Sequence, residues 1–102
     1  MPLHIREDKG LTRPIVVCDY CLHEITDAAD GNYQWKTDDN GAPTDGAIYF
    51  THKHCCHKFE QTHGDVLQWA AIGLECLPVF LASNLKVDWA KAKQTAAMMG
   101  EL

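Results

Sequence analysis

Two short cysteine-containing motifs constrain this 102-residue chain more than any other feature of its sequence. Cys18 and Cys21 form a C-x2-C pair, and His52 and Cys55 form an H-x2-C pair further along the chain. Zinc prefers four thiolate or imidazole donors at the corners of a tetrahedron. A gap of two residues lets a tight turn or one helical turn direct two side chains to the same point. The two pairs therefore predict one zinc ion held by Cys18, Cys21, His52 and Cys55.

The residues after Thr51 are predicted to form a helix that begins at His52 and carries the second ligand pair. On such a helix Phe59 marks the inward face, and the residues within about 50° of one line are those at positions 52, 55, 56, 59 and 63. Cys56 is therefore an alternative to Cys55. Cys55 is preferred because its i, i+3 spacing from His52 is the commoner ligand arrangement.

The segments before this helix have the pattern of short strands. Residues 15–17 are all β-branched and predict a strand that leads into a turn at Cys18. Residues 32–37 and 47–51 alternate between apolar and polar side chains, and turn-forming residues separate them, so they predict a β-hairpin. Residues 1–13 are expected to form a loose arm or an edge strand.

The second half of the chain is predicted to be helical. Apolar residues recur at three- and four-residue steps from Val66 to Leu85, with Asp65 as a helix cap and a break or fresh start at Pro78. Asp88 is expected to cap a last helix from Trp89 to Met99. We expect one α+β domain over residues 1–102, in which a zinc-binding part (16–63) is covered by a helical part (64–102).

The remaining cysteine and histidine candidates have simpler interpretations. Cys76 lies among leucines and is expected to be a small core residue. The other histidines, at positions 4, 23, 54, 57 and 63, are expected on the surface or at helix ends. Five cysteines is an odd number, which favours thiols and metal ligands over a disulfide framework.

Composition limits which kinds of binding partner and which cellular compartment we expect for this chain. Nine Lys and Arg against fourteen Asp and Glu give a formal charge of −5, so long-range attraction to nucleic acid is not expected. The first fifteen residues are charged rather than apolar, which argues against a secretory signal. The most apolar stretch, residues 70–82, is shorter than the ~20 residues of a membrane-spanning helix. We therefore expect a cytoplasmic protein without a membrane segment.

A C-x2-C knuckle, a β-hairpin and a helix that supplies the last two ligands together resemble the treble-clef zinc fold, over residues 16 to about 63. The ligand order resembles that of the first zinc module of LIM domains, although no second C-x2-C follows. The resemblance implies that Cys18, Cys21, His52 and Cys55 close the coordination sphere of one structural zinc ion. Such a site has no open position for water or substrate.

These observations predict a non-catalytic zinc-binding protein that acts as a protein-interaction module, a small subunit or a homo-oligomer. Three Trp, three Tyr and three Phe in so short a chain could leave aromatic area for a partner. One alternative is a nucleic-acid-binding zinc finger. Another is a thiol redox protein that uses Cys18 and Cys21, since the C-x-x-C pair follows an apolar strand.

Overall fold

The computed structural model describes residues 3–8, 11–44, 46–63 and 68–98. These residues form a mixed α+β structure with two three-stranded antiparallel sheets and three α-helices. The first sheet has the order β1 (Leu3–Asp8), β2 (Leu11–Val17) and β3 (Glu24–Ile25). In the second, β4 (Gly31–Lys36) lies between β5 (Tyr49–His52) and β6 (Trp69–Gly73). The helices are α1 (Cys56–Thr62), α2 (Leu77–Asn84) and α3 (Trp89–Met98).

The first sheet carries the chain into the cysteine turn. The predicted strand before Cys18 is confirmed, and it begins earlier than expected because β2 pairs with β1 from Leu11 to Val16. Within residues 1–13, β1 is thus an edge strand, one of the two expected forms, whereas residues 11–13 belong to the central strand β2. The short β3 pairs only with the end of β2, opposite Val16 and Val17. The Arg6 side chain reaches across the sheet to form an ion pair with Glu24.

The second sheet contains the predicted hairpin. β4 and β5 are antiparallel, with Tyr33 opposite Phe50. The second strand begins two residues later than expected, at Tyr49. Tyr33 and Trp35 lie on one face of β4, and their rings stack with centroids 5.7 Å apart. This face turns toward the hydrophobic core, whose buried members are Cys18, Ile25, Tyr33, Phe50, Cys55 and Leu74.

The predicted helix from Val66 to Leu85 is wrong in its first part. Trp69–Gly73 forms β6, an edge strand in which Trp69 lies opposite Lys36 and Ile72 opposite Tyr33. Pairing with β4 satisfies the backbone of this segment, and this tertiary contact overrides the helix-like spacing of its apolar residues. Residues 64–102 are therefore not wholly helical. The proposed cap Asp65 lies outside the described residues.

Helix α1 covers the opposite face of the second sheet. Phe59 is 1 % exposed, and its ring lies 5.3 Å from that of Tyr49 and 5.5 Å from that of Trp69. Beside it, the buried Thr51 hydroxyl donates to Gln34 Oε1 at 2.6 Å, and Gln34 Nε2 donates to Glu60 at 3.1 Å. This polar chain ties α1 to both strands of the hairpin, and it gives the buried amide of Gln34 the partners it needs.

The last two helices begin where the sequence predicted. Pro78 lies in the first turn of α2, and Asp88 caps α3 by accepting a hydrogen bond from the Lys91 amide at 3.1 Å. The expectation for Cys76 is wrong. This residue is exposed on a 3-10 turn in which Leu74 takes the inward position. In the described part of the chain no helix is long and apolar enough to cross a membrane.

Gly31 allows the closest approach of β4 to the core. A Cβ atom there would lie 2.9 Å from Leu74 Cδ2 and 3.0 Å from Ile25 Cγ2. We expect Gly31→Ala to lower the free energy of unfolding by about 1–3 kcal/mol, because the core must shift to admit the methyl group. Denaturant unfolding followed by tryptophan fluorescence measures this change.

Gly73→Ala is the matched control, since the nearest atom to a Cβ there is a flexible Glu75 oxygen at 3.9 Å. This variant should unfold within about 0.5 kcal/mol of the unaltered chain. Equal effects of the two substitutions would show that close packing at Gly31 does not limit stability.

Candidate metal centre

The four residues of the two sequence motifs come together in space. The sulfur atoms of Cys18, Cys21 and Cys55 and a ring nitrogen of His52 all lie within 4.8 Å of one another. Cys18 and Cys55 are buried, and Cys21 and His52 are half-buried. All five cysteines of the chain are free thiols rather than disulfides. The group is therefore a cluster of atoms that could hold a metal ion, at the junction of the two sheets.

A tight turn between β2 and β3 holds the first pair. The Cys18 amide donates to the His23 carbonyl at 2.9 Å, and the Leu22 amide donates back to the Cys18 carbonyl at 3.0 Å. Leu22 closes the turn with a left-handed backbone, φ 65°. The turn is also attached to β5, because the Phe50 amide donates to the Asp19 carboxylate at 2.8 Å. These bonds place both sulfurs on the side that faces the second sheet.

Three backbone N–H groups point at the Cys18 sulfur. Two belong to the turn itself, from Tyr20 at 3.4 Å and Cys21 at 3.5 Å, and the third is the His52 amide at 3.4 Å. Such donors stabilise a thiolate rather than a thiol. The third donor comes from β5, so the same contact that favours the charge on Cys18 also joins the two sheets.

The two nitrogen atoms of His52 have different partners. Nε2 lies 3.2 Å from the backbone carbonyl of Glu24, and Nδ1 lies 3.3 Å from the Cys21 sulfur. A carbonyl oxygen only accepts, so Nε2 carries the proton and Nδ1 presents its lone pair to the cluster. A hydrogen bond from the remote ring nitrogen to a carbonyl is the usual support of a metal-binding histidine.

The second pair lies at a strand end, not inside a helix. His52 is the last residue of β5, and the predicted helix start at His52 is wrong, since α1 begins at Cys56. A turn connects the two elements, in which the Cys55 amide donates to the His52 carbonyl at 2.9 Å. Pairing of β5 with β4 keeps His52 extended, opposite Gly31. The turn then brings Cys55 back toward the cluster.

The structure separates the two candidates for the fourth ligand. Cys55 is 4 % exposed and belongs to the cluster. Cys56 is half-buried and its sulfur lies 3.6 Å from Glu60, in the polar chain beneath α1. Burial, together with the nearby Glu60 carboxylate, raises the pKa of Cys56 above its ordinary value. Cys56 is thus separate from the metal-ligating group.

The pKa values of two cluster thiols diverge. Burial disfavours a thiolate on Cys18, but hydrogen bonds from the three backbone N–H groups outweigh it and lower the pKa of Cys18 to about 6. Burial, and then the neighbouring Cys18 and Cys21 sulfurs, raise the pKa of Cys55 to about 12. Without a cation, three negative sulfurs at this separation repel one another. A divalent cation would remove that repulsion.

Two contacts of the cluster were not foreseen from the sequence. The His52 amide and the Glu24 carbonyl are backbone groups, and no residue type marks them in advance. Asp19 carried a weak indication, because aspartate side chains often accept from backbone amides near turns. The histidines at positions 4, 23, 54, 57 and 63 are exposed, as expected. Comparison with protein-family models, curated proteins and solved structures finds no match to this chain.

The left-handed conformation of Leu22 provides a test of the turn. A side chain with a Cβ atom costs roughly 1–2 kcal/mol in this conformation, and Leu22 is 75 % exposed, so little packing offsets that cost. We expect Leu22→Gly to stabilise the chain by about 0.5–1 kcal/mol after the greater freedom of glycine in the unfolded chain is subtracted.

Leu22→Ala is the control, because alanine loses the side chain but keeps the Cβ atom. It should not stabilise the protein. Thermal unfolding of both variants measures the difference, and a glycine variant that is no more stable than the alanine variant would contradict a strained turn.

Proposed function

We propose that this chain is a non-catalytic zinc-binding protein, in which Cys18, Cys21, His52 and Cys55 hold one structural zinc ion. The observation that carries the proposal is the convergence of three sulfurs and one imidazole nitrogen within 4.8 Å. In a tetrahedral site with Zn–S bonds of about 2.3 Å, ligand sulfurs lie about 3.8 Å apart. The side chains therefore need only small movements to reach bonding positions.

The chemistry of the donors favours zinc over a hard cation. Thiolates and imidazole are soft or borderline ligands, whereas calcium and magnesium require oxygen ligands. When bound, zinc supplies charge neutralisation and a cross-link between the two sheets. Four protein ligands fill its coordination sphere, which supports a structural rather than a catalytic role.

A treble-clef assignment for residues 16–63 is part of this proposal. The order of elements supports it: a cysteine turn is followed by the β4–β5 hairpin and then by α1. Cys55 immediately precedes α1 and His52 lies at the end of β5, so neither lies inside the helix, which differs from the expected pattern in which the helix supplies the last two ligands. The resemblance rests on this order and on the ligand spacing.

The redox alternative has one observation in its favour. A thiol pKa of about 6 at Cys18 is the property that a nucleophilic C-x-x-C cysteine requires. Against it, Cys18 is 0 % exposed, so its sulfur is not accessible to a disulfide substrate. The same three N–H groups that lower its pKa also serve a zinc-bound thiolate. We therefore rank redox chemistry below zinc binding.

The biological role that we infer is that of an interaction module or small subunit. A zinc site of this kind stabilises a small domain and leaves its outer surfaces for a partner. Tyr20, at the tip of the cysteine turn, is 41 % exposed and Trp89 is 53 % exposed, so aromatic area is present at the surface. Nucleic acid is a less favoured partner, because the net charge of −5 would repel its phosphate backbone.

Metal analysis of the purified chain tests the proposal. We expect one zinc ion per chain, and a cobalt-substituted protein with the absorption of a tetrahedral thiolate site. Cys55→Ser should lower metal affinity by at least about tenfold, because it removes one ligand.

Cys56→Ser is the matched control, since it changes the neighbouring cysteine outside the cluster. It should retain full metal content and the same cobalt spectrum. Purified chain without metal, or metal loss in the Cys56 variant alone, would contradict the proposed ligand set.

Zinc affinity should fall with decreasing pH. Zinc binds thiolates and not thiols, so protons compete with the metal for the sulfurs and its affinity is lost on acidification. Cys55, with a metal-free pKa of about 12, releases one proton on binding throughout the range, which predicts at least about tenfold weaker affinity per pH unit below 9.

Below pH 6 Cys18 also becomes protonated in the metal-free chain, and the dependence should steepen by one further proton. Competition with a chromophoric chelator at a series of pH values measures the slope. Equal affinity at pH 5 and pH 8 would rule out thiolate coordination, and Cys56→Ser should give the same profile as the unaltered chain.

A further inference from the structure

The two edges of the second sheet differ in how their backbone groups are satisfied. At the outer edge of β5, the Phe50 amide donates to the Asp19 carboxylate at 2.8 Å, and the Asp19 amide donates to the Phe50 carbonyl at 2.7 Å. The next outward amide of β5, that of His52, points at the Cys18 sulfur. The cysteine turn therefore covers this edge. The opposite edge of the sheet is formed by β6.

The register of β6 identifies which of its backbone groups face outward. In an antiparallel pair, directly opposite residues alternate between pairs that exchange hydrogen bonds and pairs that do not. Thr37 lies opposite Gln68 where the register of β4 and β6 continues, and the Thr37 amide donates to the Gln68 carbonyl at 2.7 Å. By this alternation, residues 70 and 72 bond to β4, and the residues between and beside them face away from it.

We use the name β6 edge for the outward backbone groups of Trp69, Ala71 and Gly73. Within the described residues, no hydrogen bond is made by the backbone of Trp69 or Ala71 on this side. The Ala71 side chain is exposed. The sequence of β6 is WAAIG, which contains no charged residue and no proline. The β6 edge therefore lacks the features that normally prevent a strand from pairing further.

The outer strands of the first sheet are protected in two ways. β1 carries the exposed charged residues Arg6 and Glu7, and β3 is only two residues long. Edge charges and short strands are common means by which proteins avoid pairing with other chains. Among the strands that the structure describes, β6 is thus the one with an open and unprotected edge.

The side-chain sizes along β6 fit a second copy of the same strand. Two β6 strands can pair antiparallel about a two-fold axis at Ala71, since both backbone groups of this residue face outward. Trp69 of each copy then lies opposite Gly73 of the other. Ala70 likewise lies opposite Ile72. Each large side chain therefore faces a small one, and an aromatic ring beside a cross-strand glycine is a favourable pair.

Charges near the two ends of β6 favour the same arrangement. The Lys36 ammonium lies 5.7 Å from the centre of the Trp69 ring, on the face of the sheet that α1 covers. At the other end, a Glu75 carboxylate oxygen lies 3.9 Å from the position of a Cβ atom at Gly73. This position is on the same face, because residues 69 and 73 are an even number apart. Antiparallel pairing brings each Lys36 toward the second copy's Glu75, whereas parallel pairing would bring like charges together.

We propose that the chain forms a symmetric homodimer in which the β6 edges of two copies pair antiparallel, joining the second sheet of each copy into one continuous sheet. A second copy is the occupant because its strand matches the β6 edge in hydrogen-bonding groups, side-chain size and charge. The β6 edge contains none of the candidate metal ligands. The proposal extends the inferred role as a small subunit, and its failure would leave the zinc site untouched.

Amide hydrogen exchange of the full-length, zinc-supplemented protein at a series of concentrations tests the pairing. The Ala71 and Gly73 amides should become at least about tenfold more protected as the dimer forms. The Ala70 and Ile72 amides bond to β4, so they should be protected at every concentration and serve as an internal control. Sedimentation equilibrium of the same samples should approach twice the mass of the 11.4 kDa chain.

Opposite charges at position 71 test the two-fold axis. Ala71→Lys and Ala71→Glu should each raise the dimer dissociation constant at least about thirtyfold, because like charges would lie directly opposite each other. An equimolar mixture of the two variants should form a heterodimer within about threefold of the original affinity, since opposite charges then face each other. A partner other than a second copy, or a different register, would not give this rescue.

Met98→Lys and Met98→Glu are the matched controls, because this residue is 82 % exposed and lies outside the β6 edge. Neither should change the dissociation constant by more than about threefold. If the charged variants at position 71 fail to fold, as judged by circular dichroism, Ala71→Pro provides the same test, because it removes an N–H group that β4 does not use. Ala71→Ser, which keeps that N–H group, should dimerise like the unaltered chain.

Several results would overturn the proposal. One is a monomer at all concentrations up to about 1 mM. Another is a dimer in which the Ala71 and Gly73 amides exchange as fast as in the monomer, which would place the interface elsewhere. Protection of these amides in the monomer would show that the chain itself covers the β6 edge. Failure of the mixed Lys and Glu variants to associate would exclude the two-fold axis at Ala71.

Discussion

The His52 amide, 3.4 Å from the Cys18 sulfur, is the contact on which the arrangement of the two sheets depends. It joins the turn after β2 to the end of β5 and stabilises negative charge on a buried sulfur. The Asp19 carboxylate and the Phe50 amide form a second bond across the same junction, at 2.8 Å. Both sheets contribute residues to one buried core, so the position where they meet determines the architecture.

A metal ion would make this junction much stronger. The buried core of the described residues is small, and two of its six members, Cys18 and Cys55, belong to the cluster of candidate ligands. Opposite shifts in the pKa values of these two thiols show that the cluster holds fewer than three negative charges without a cation. Zinc would supply the missing positive charge and link β2, β5 and the start of α1 in one step. One ion bound by these residues would therefore both strengthen the small core and neutralise the negative sulfurs.

Burial differs strongly along the described part of the chain. The hairpin face with Tyr33 and Phe50 is enclosed, whereas α2 and α3 contain no buried residue. The buried core therefore lies where the two sheets meet, and of the residues of α2 and α3 only Leu77 packs against it.

Local sequence patterns were sufficient to predict several features of the fold. The alternation in residues 32–37 predicted β4, Pro78 marked the start of α2, and Asp88 marked the start of α3, because each depends on short-range backbone chemistry. The spacing of the cysteines and His52 also identified the cluster in advance. Cysteine and histidine pairs at two-residue gaps have the ligand spacing of structural zinc sites.

Other features were decided by tertiary structure, because they depend on contacts between residues that are far apart in the sequence. Trp69–Gly73 has the apolar spacing of a helix but becomes a strand, because β4 offers an open edge with which it pairs. The choice of Cys55 over Cys56 follows from the turn after β5, since pairing with β4 keeps His52 out of the helix. The sequence alone thus determined which residues could bind a metal and where short-range elements begin. Only the packing of the two sheets decided how those residues meet, because their contacts join positions that are far apart along the chain.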